Sequence, residues 1–156
     1  MRLEGDQEPI KEYSHYSHDK IESNAARFRS RMSISLKKLE EMSTGNEFLK
    51  KTFYDMVLYC LRYTEDVFIM DRLNEIPVSS RDENWRNEYE TTDARRRTLH
   101  DATIDSINIF SRTLREYGKS NEWLREVAKN GRPGYAGFAI ALALEYYLSL
   151  EGNDNE

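Results

Sequence analysis

The chain has 156 residues, of which 33% are charged and 12% are aromatic, and its formal net charge is −5. The aromatic content argues against disorder, and the length suits one domain with a substantial core. Because lysines and arginines are scattered among the acids, no basic field is available to attract a nucleic-acid backbone. We therefore expect a folded protein without a nucleic-acid partner.

The composition also bears on location. The first residues contain no apolar run of the kind found in a signal peptide, and the single Cys60 cannot form an intramolecular disulfide. The most apolar stretch, residues 135–144, is about half as long as a bilayer-spanning helix. These features predict a cytoplasmic protein that makes no contact with a membrane.

The chain begins with a polar segment, residues 1–17, in which no helical period is visible, and which is predicted to be an N-terminal arm. The helical domain is predicted to cover residues 18–150. A first helix is expected over residues 19–43 because apolar residues recur there at steps of three and four, and Gly45 follows at the place of a helix C-terminal glycine. Those apolar residues are Ile21, Ala25, Phe28, Met32, Leu36, Leu39 and Met42.

Two long helices come next. Thr44 and Glu47 have the spacing of a capping box at the start of helix two, and Pro77 ends that helix. Asp82 can cap helix three, and Gly118 can close it. Since the linker between them is short, the two helices are predicted to form an antiparallel hairpin, with position 64 opposite about 95 and position 71 opposite about 88.

The end of the chain is predicted to hold a short helix over residues 120–130 and a final helix over residues 135–150. The final helix is apolar nearly all round, which favours a central place in the bundle. Residues 151–156 are predicted to be an exposed acidic tail. The expected fold is therefore an all-α, single-domain bundle of four main helices and one short helix.

Polar residues interrupt the apolar stripes of helices two and three. At about 100° per residue, Asp93, Arg96 and His100 lie on the same side of helix three as Ile107. The apolar stripe of helix two, continued past Phe68, reaches the acids Asp71 and Glu75. Both helices thus become polar at the same end of the hairpin, where the sequence predicts an inward cluster of Asp71, Glu75, Tyr89, Asp93, Arg96 and His100.

This cluster has two interpretations. The first interpretation is structural and follows from the cost of burying unpaired charges. The residues either form a network of ion pairs or lie where the helix ends extend beyond the core and both faces are in contact with water. Alternatively, it is a pocket in which Arg96 binds an anion and His100 acts as an acid, a base or a ligand contact.

A third interpretation concerns metal chemistry. The pairs His18-Asp19 and His100-Asp101, with Asp105, invite comparison with the all-helical His-Asp phosphohydrolases, whose metal site activates a water. However, Asp101 and Asp105 are predicted to face outward, so we predict no metal and no other cofactor.

The segment 92–112, TDARRRTLHDATIDSINIFSR, resembles part of an uncharacterised family of small helical proteins from Gram-positive bacteria and their mobile elements. The resemblance implies an all-helical bacterial protein of the cytoplasm with no assigned activity, and it carries over no catalytic residues.

Several tyrosines and aliphatic residues fall off the core stripes, a pattern typical of protein interfaces. The sequence therefore favours a non-enzymatic interaction or regulatory protein that binds a protein partner or forms a homodimer. Two alternatives stay open: a sensor of a small phosphorylated ligand that uses Arg96 and His100, and a metal-dependent phosphohydrolase of the His-Asp type.

Overall fold

A computed structural model describes residues 22–23, 25–26, 29–30, 34–119 and 132–154 of the chain. In these residues the regular structure is helical and includes no strand: α1 is Leu36–Ser43, α2 is Glu47–Glu75, a single 3₁₀ turn is Val78–Ser80, α3 is Glu83–Glu116, and α4 is Arg132–Asp154. The predicted all-α bundle is confirmed. The predicted N-terminal arm and the predicted short helix lie outside the described residues.

The first predicted helix differs from the structure. Residues 22–23, 25–26 and 29–30 are helical, but Ile34 lies in a bend and Ser35 is extended, with φ −104° and ψ 163°. The hydroxyl of Ser35 accepts a hydrogen bond from the backbone N–H of Lys38 at 3.1 Å and so caps the N-terminus of α1. A continuous helix over 19–43 was thus a wrong prediction, because the apolar period continues across a break in the backbone.

The cap of α2 also lies two residues away from the predicted place. Thr44 ends α1, where its hydroxyl donates to the carbonyl of Glu41 at 2.7 Å. Gly45 then reverses the chain at φ +91°, a conformation that residues with a Cβ rarely adopt. The side chain of Asn46 accepts from the N–H of Leu49 at 2.9 Å, so Asn46 is the N-cap of α2.

The antiparallel hairpin of α2 and α3 is confirmed, and α2 packs more extensively against α3 than against any other described helix. Three contacts fix its register: Thr103 Oγ1 donates to the carbonyl of Tyr59 at 3.2 Å, Arg95 binds Asp66, and Arg72 Nη2 lies 3.4 Å from Glu88 Oε1. These pairs are close to the register that the short linker predicts.

Helix α2 is buried on two faces. One face carries large apolar side chains that belong to the main core, and the other lies along α3. The first face is Phe53, Val57, Cys60, Thr64 and Phe68, and the second is Tyr63, Asp66, Met70 and Leu73. Because α2 packs against each of the other described helices, it shares the centre of the bundle with α4.

Helix α4 contacts α1, α2 and α3, as its apolar sequence predicts. The small side chains of Ala139 and Ala143 are fully buried and allow neighbouring helices to approach closely. The helix begins three residues before the predicted start, since Pro133 is tolerated in a first helical turn, and it continues to Asp154. None of the described helices carries an apolar stretch long enough to cross a membrane.

Candidate functional site at the hairpin

The two predicted acids on α2 do not face inward. Asp71 and Glu75 follow Thr64 and Phe68 along the same helix face, yet Thr64 and Phe68 are buried, whereas Asp71 and Glu75 are exposed. On this face of α2 the main core therefore ends at Phe68, while Met70 and Leu73 on the second face stay buried. The predicted inward placement of these acids is corrected, because none of the described helices buries this face past Phe68.

The predicted Asp93 and Arg96 do meet. Arg96 Nη2 donates to Asp93 Oδ1 at 2.8 Å, and Arg97 Nη2 lies 3.0 Å from Asp93 Oδ2. The hydrogen bond from Arg96 lowers the pKa of Asp93. Across the hairpin, burial raises the pKa of Tyr63, and the positive charge of Arg96 lowers it in part. Arg96 is thus held by an acid on its own helix, and its charge acts on a tyrosine across the hairpin.

His100 lies on the other side of Tyr63. The two ring centroids are 5.7 Å apart, and His100 Nδ1 is 3.2 Å from Asp101 Oδ1. Beside the imidazole is a crevice of about 140 Å³ that is too narrow to hold a water molecule. Its lining residues are Tyr63, His100, Thr103, Ile104, Tyr135, Ala136 and Ala139. His100 therefore borders a packed seam and not an open cleft.

Tyr89 belongs to a different contact. Its ring stacks on Trp85, with centroids 4.9 Å apart and an interplanar angle of 22°. The six predicted residues thus fall into three groups: Asp71 and Glu75 are exposed on α2, Tyr89 stacks near the turn, and Asp93, Arg96 and His100 lie around Tyr63.

The most buried charge in the hairpin was not among the predicted residues. The side chain of Asp66 is only 3% exposed, and Arg95 binds it bidentately, with Nη2 at 2.7 Å from Oδ1 and Nε at 3.0 Å from both oxygens. This hydrogen bonding raises the pKa of Arg95. Asp66 lies off the main apolar stripe of α2, but Tyr63 and Met70, one turn away on either side, mark the second face that would have indicated it.

The end of the hairpin, residues 71–90, is held by side chains that satisfy the free carbonyls of α2. Arg81 donates from Nε to the carbonyl of Ile76 at 3.0 Å and from Nη2 to that of Asn74 at 3.3 Å. Trp85 Nε1 donates to the carbonyl of Leu73 at 2.9 Å, and the Arg81 guanidinium lies 4.4 Å from the centre of the Trp85 ring. The last carbonyls of a helix lack partners within that helix, so these bonds fix the turn. We call residues 71–90 the hairpin end.

The surface of the hairpin end is acidic with an apolar tip. Val78 is 76% exposed, and Pro77 beside it is exposed as well. The hairpin end contains six aspartates or glutamates and three arginines. Arg72 pairs with Glu88, and Arg81 donates to uncharged carbonyls of α2, so six acids against three arginines leave the hairpin end with a formal net charge of −3.

In the described residues, no three His, Cys, Asp or Glu side chains lie close enough together to hold a metal ion, and His18 of the metal hypothesis lies outside them. The resemblance of residues 92–112 to an uncharacterised family stays a prediction. Comparison of the chain with known protein families, with curated proteins and with solved structures finds no match.

Proposed function

We propose that this protein is a non-enzymatic interaction or regulatory protein and that the hairpin end is its docking element. The observation that carries the proposal is a turn held by specific hydrogen bonds at a place where Leu73 is the one buried side chain among residues 71–90. Arg81 and Trp85 fix the last turn of α2, while Asp71, Glu75 and Val78 around them are exposed.

Such an arrangement suits binding. A connection that only joins two helices needs no fixed shape, but a surface that is already ordered loses less conformational entropy when a partner binds. Tryptophan, tyrosine and arginine are the residues most often found at the energetic centre of interfaces. Here Arg81, Trp85 and Tyr89 form one continuous stack beside the exposed Val78.

The charge of the hairpin end indicates the partner. Glu75, Glu83 and Glu90 are exposed, and opposite charge across an interface speeds encounter and selects the partner. We expect a partner protein that offers a basic surface with an apolar recess for Val78. We place this interaction in the cytoplasm, a setting that the unpaired, buried thiol of Cys60 supports.

The other two functions that the sequence left open have less support. Arg96 is bound to Asp93, and the crevice beside His100 is closed to water, so a sensor built on these residues would first have to open the seam. A His-Asp phosphohydrolase would need further ligands, since Asp101 and Asp105 are exposed on the far side of α3 from the core.

The experiment compares proteins bound by the wild type and by matched variants in a native lysate, followed by measurement of the dissociation constant with the purified partner. Val78→Ser and Glu75→Lys change exposed side chains of the hairpin end, and each should weaken binding at least about tenfold. Phe48→Ser, which removes a 54% exposed side chain at the opposite end of α2, is the control and should bind normally.

Equal binding by the wild type, Val78→Ser and Glu75→Lys would contradict the docking role. Light scattering addresses the homodimer. If the wild type is a dimer and Val78→Ser is a monomer, the partner of the hairpin end is a second copy of this chain and not a basic protein.

A further inference from the structure

We propose that the protein also binds a small organic phosphate in a surface cavity on α3, apart from the hairpin end. The cavity has a volume of about 430 Å³, within the range of about 300–1,000 Å³ typical of small-molecule sites. Its described lining is one face of α3: Asp105, Asn108, Ile109, Arg112 and Arg115.

Two guanidinium groups line this cavity. Arg112 and Arg115 are one turn apart on α3, and in the described part of the chain neither one makes a hydrogen bond or an ion pair. By contrast, three other arginines of the same helix, Arg95, Arg96 and Arg97, each bind an aspartate. The donors of Arg112 and Arg115 are thus available to an anion, and arginine suits phosphate because its planar group can donate two parallel hydrogen bonds.

A third donor is oriented by α4. The hydroxyl of Tyr135 donates to Asn108 Oδ1 at 2.6 Å. This bond occupies the carbonyl oxygen of the Asn108 amide and leaves its NH₂ group to donate toward the cavity. Asn108, Arg112 and Arg115 therefore present donors from successive turns of α3, and Tyr135 is a positioning residue.

The other two lining residues, Ile109 and Asp105, indicate the chemistry of the part of the ligand that is not phosphate. Ile109 is 41% exposed and offers an apolar contact to a carbon skeleton. Asp105 adds a carboxylate one turn away, which can accept a hydrogen bond from a hydroxyl or an amine. A phosphate ester that also carries hydroxyl or amino groups, such as a sugar phosphate or a nucleotide, offers a complementary group to each of the five lining residues.

The test is isothermal titration of the purified full chain with adenosine monophosphate, glucose 6-phosphate and inorganic phosphate, with adenosine and glucose as uncharged controls. We expect at least one organic phosphate to bind, and to bind more tightly than inorganic phosphate, while adenosine and glucose do not bind. Arg112→Gln and Arg115→Gln should each lower the affinity about tenfold or more, since each removes charged hydrogen bonds.

Three further variants make the outcome specific. Arg86→Gln, an exposed arginine of α3 outside the cavity, should bind the phosphate like the wild type. Tyr135→Phe should weaken binding without a change in charge, because Asn108 loses the bond that orients it. Val78→Ser should bind the phosphate normally, which separates this site from the docking role.

Two results would overturn the proposal. One is the absence of binding tighter than about 1 mM by any of the phosphates. The other is an equal loss of affinity in Arg86→Gln and Arg112→Gln, which would mean that phosphate binding depends only on the net charge of the protein. Circular dichroism of each variant shows that the fold is retained.

Discussion

Asp66 shows how a single buried charge is accommodated between two helices. It is the only charged side chain fully buried in the described part of the chain, while its partner Arg95 is half exposed. A charge removed from water needs a partner with good geometry, and the bidentate contact of Arg95 supplies it. The pair thus joins α2 to α3 at a point where the sequence has no other strong signal of contact.

The difference in exposure predicts unequal effects of the two single substitutions. Arg95→Ala leaves the Asp66 carboxylate buried without a partner and should lower the free energy of unfolding by about 3 kcal/mol. Asp66→Asn leaves Arg95 in contact with water and should lower it by only about 1 kcal/mol. Chemical denaturation measures both values, and an equal loss in the two variants would contradict this account. The double variant Asp66→Leu/Arg95→Met should recover part of the stability.

Glu145 on α4 is a second carboxylate removed from water. Its side chain is 13% exposed, Oε1 lies 3.8 Å from Arg29 Nε, and Oε2 is buried with no hydrogen-bond partner in the described residues. Burial raises the pKa of Glu145 above its ordinary value of 4.5, against the opposing effects of the Leu36 N–H and of Arg29. The folded state therefore binds this proton more tightly than the unfolded state does.

A raised pKa of an acid predicts how stability depends on pH. The ionised carboxylate of Glu145 destabilises the fold. Its unfavourable contribution to the free energy of unfolding therefore decreases as pH falls through the folded pKa, and it vanishes below the ordinary pKa of 4.5. Glu145→Gln should therefore raise Tm relative to wild type at pH 7, and the gap should shrink toward pH 4. Thermal melts at several pH values measure the effect. Glu116→Gln, on an exposed carboxyl, is the control, and a gap that is constant with pH would contradict the assignment.

At the scale of the elements, the end of α2 depends on side chains from beyond the turn. Arg81→Ala should free the carbonyls of Asn74 and Ile76, and the amides of the last turn of α2 should exchange with solvent about tenfold faster. Amides near Cys60 in the core should exchange as in the wild type. Arg86→Ala, which removes an exposed arginine with no such contact, is the control. Unchanged exchange in Arg81→Ala would mean that the turn does not need this cap.

The sequence predicts α2, α3 and their hairpin well, because their apolar stripes are long and Pro77 and Asp82 mark the turn. It does not reveal the break before α1. Ser35 is followed at the third position by Lys38 instead of an acid, so no capping box marks the new start, and Leu36 and Leu39 continue the earlier period. Asn46 was missed for a related reason, since Thr44 offers a competing cap two residues earlier.

At the scale of the whole molecule, periodicity places a residue on a face but does not tell how far along the helix that face is covered. Asp71 and Glu75 lie on the apolar face of α2 as predicted, but on that face the main core ends at Phe68. The candidate cluster was therefore only partly predictable: contacts within α3, such as Asp93 with Arg96, follow from spacing along one helix. Contacts that depend on where the core ends along α2, or on the second face of α2, do not follow from spacing along one helix.

We predict that the described helices need no divalent metal to stay folded. In the described residues the acids and His100 do not converge on one point, so dialysis against a chelator should leave Tm unchanged. Elemental analysis of the purified protein provides the second measurement. A stoichiometric divalent metal that disappears in His100→Ala would contradict this prediction and favour the phosphohydrolase.

The pairing of α2 with α3 also bears on the order in which the chain can fold. Partners across the hairpin are 16 residues apart at Arg72 and Glu88, 29 at Asp66 and Arg95, and 44 at Tyr59 and Thr103. Because the entropy lost on closing a loop grows with its length, contacts nearest the turn are the least costly to form first. During synthesis the hairpin is complete at residue 116, before α4 has been made. Phe53 already packs against Phe110 within this hairpin, whereas the contacts of α2 with α4 can form only after residues 132–154 have been made, so α4 completes a core that the hairpin has begun.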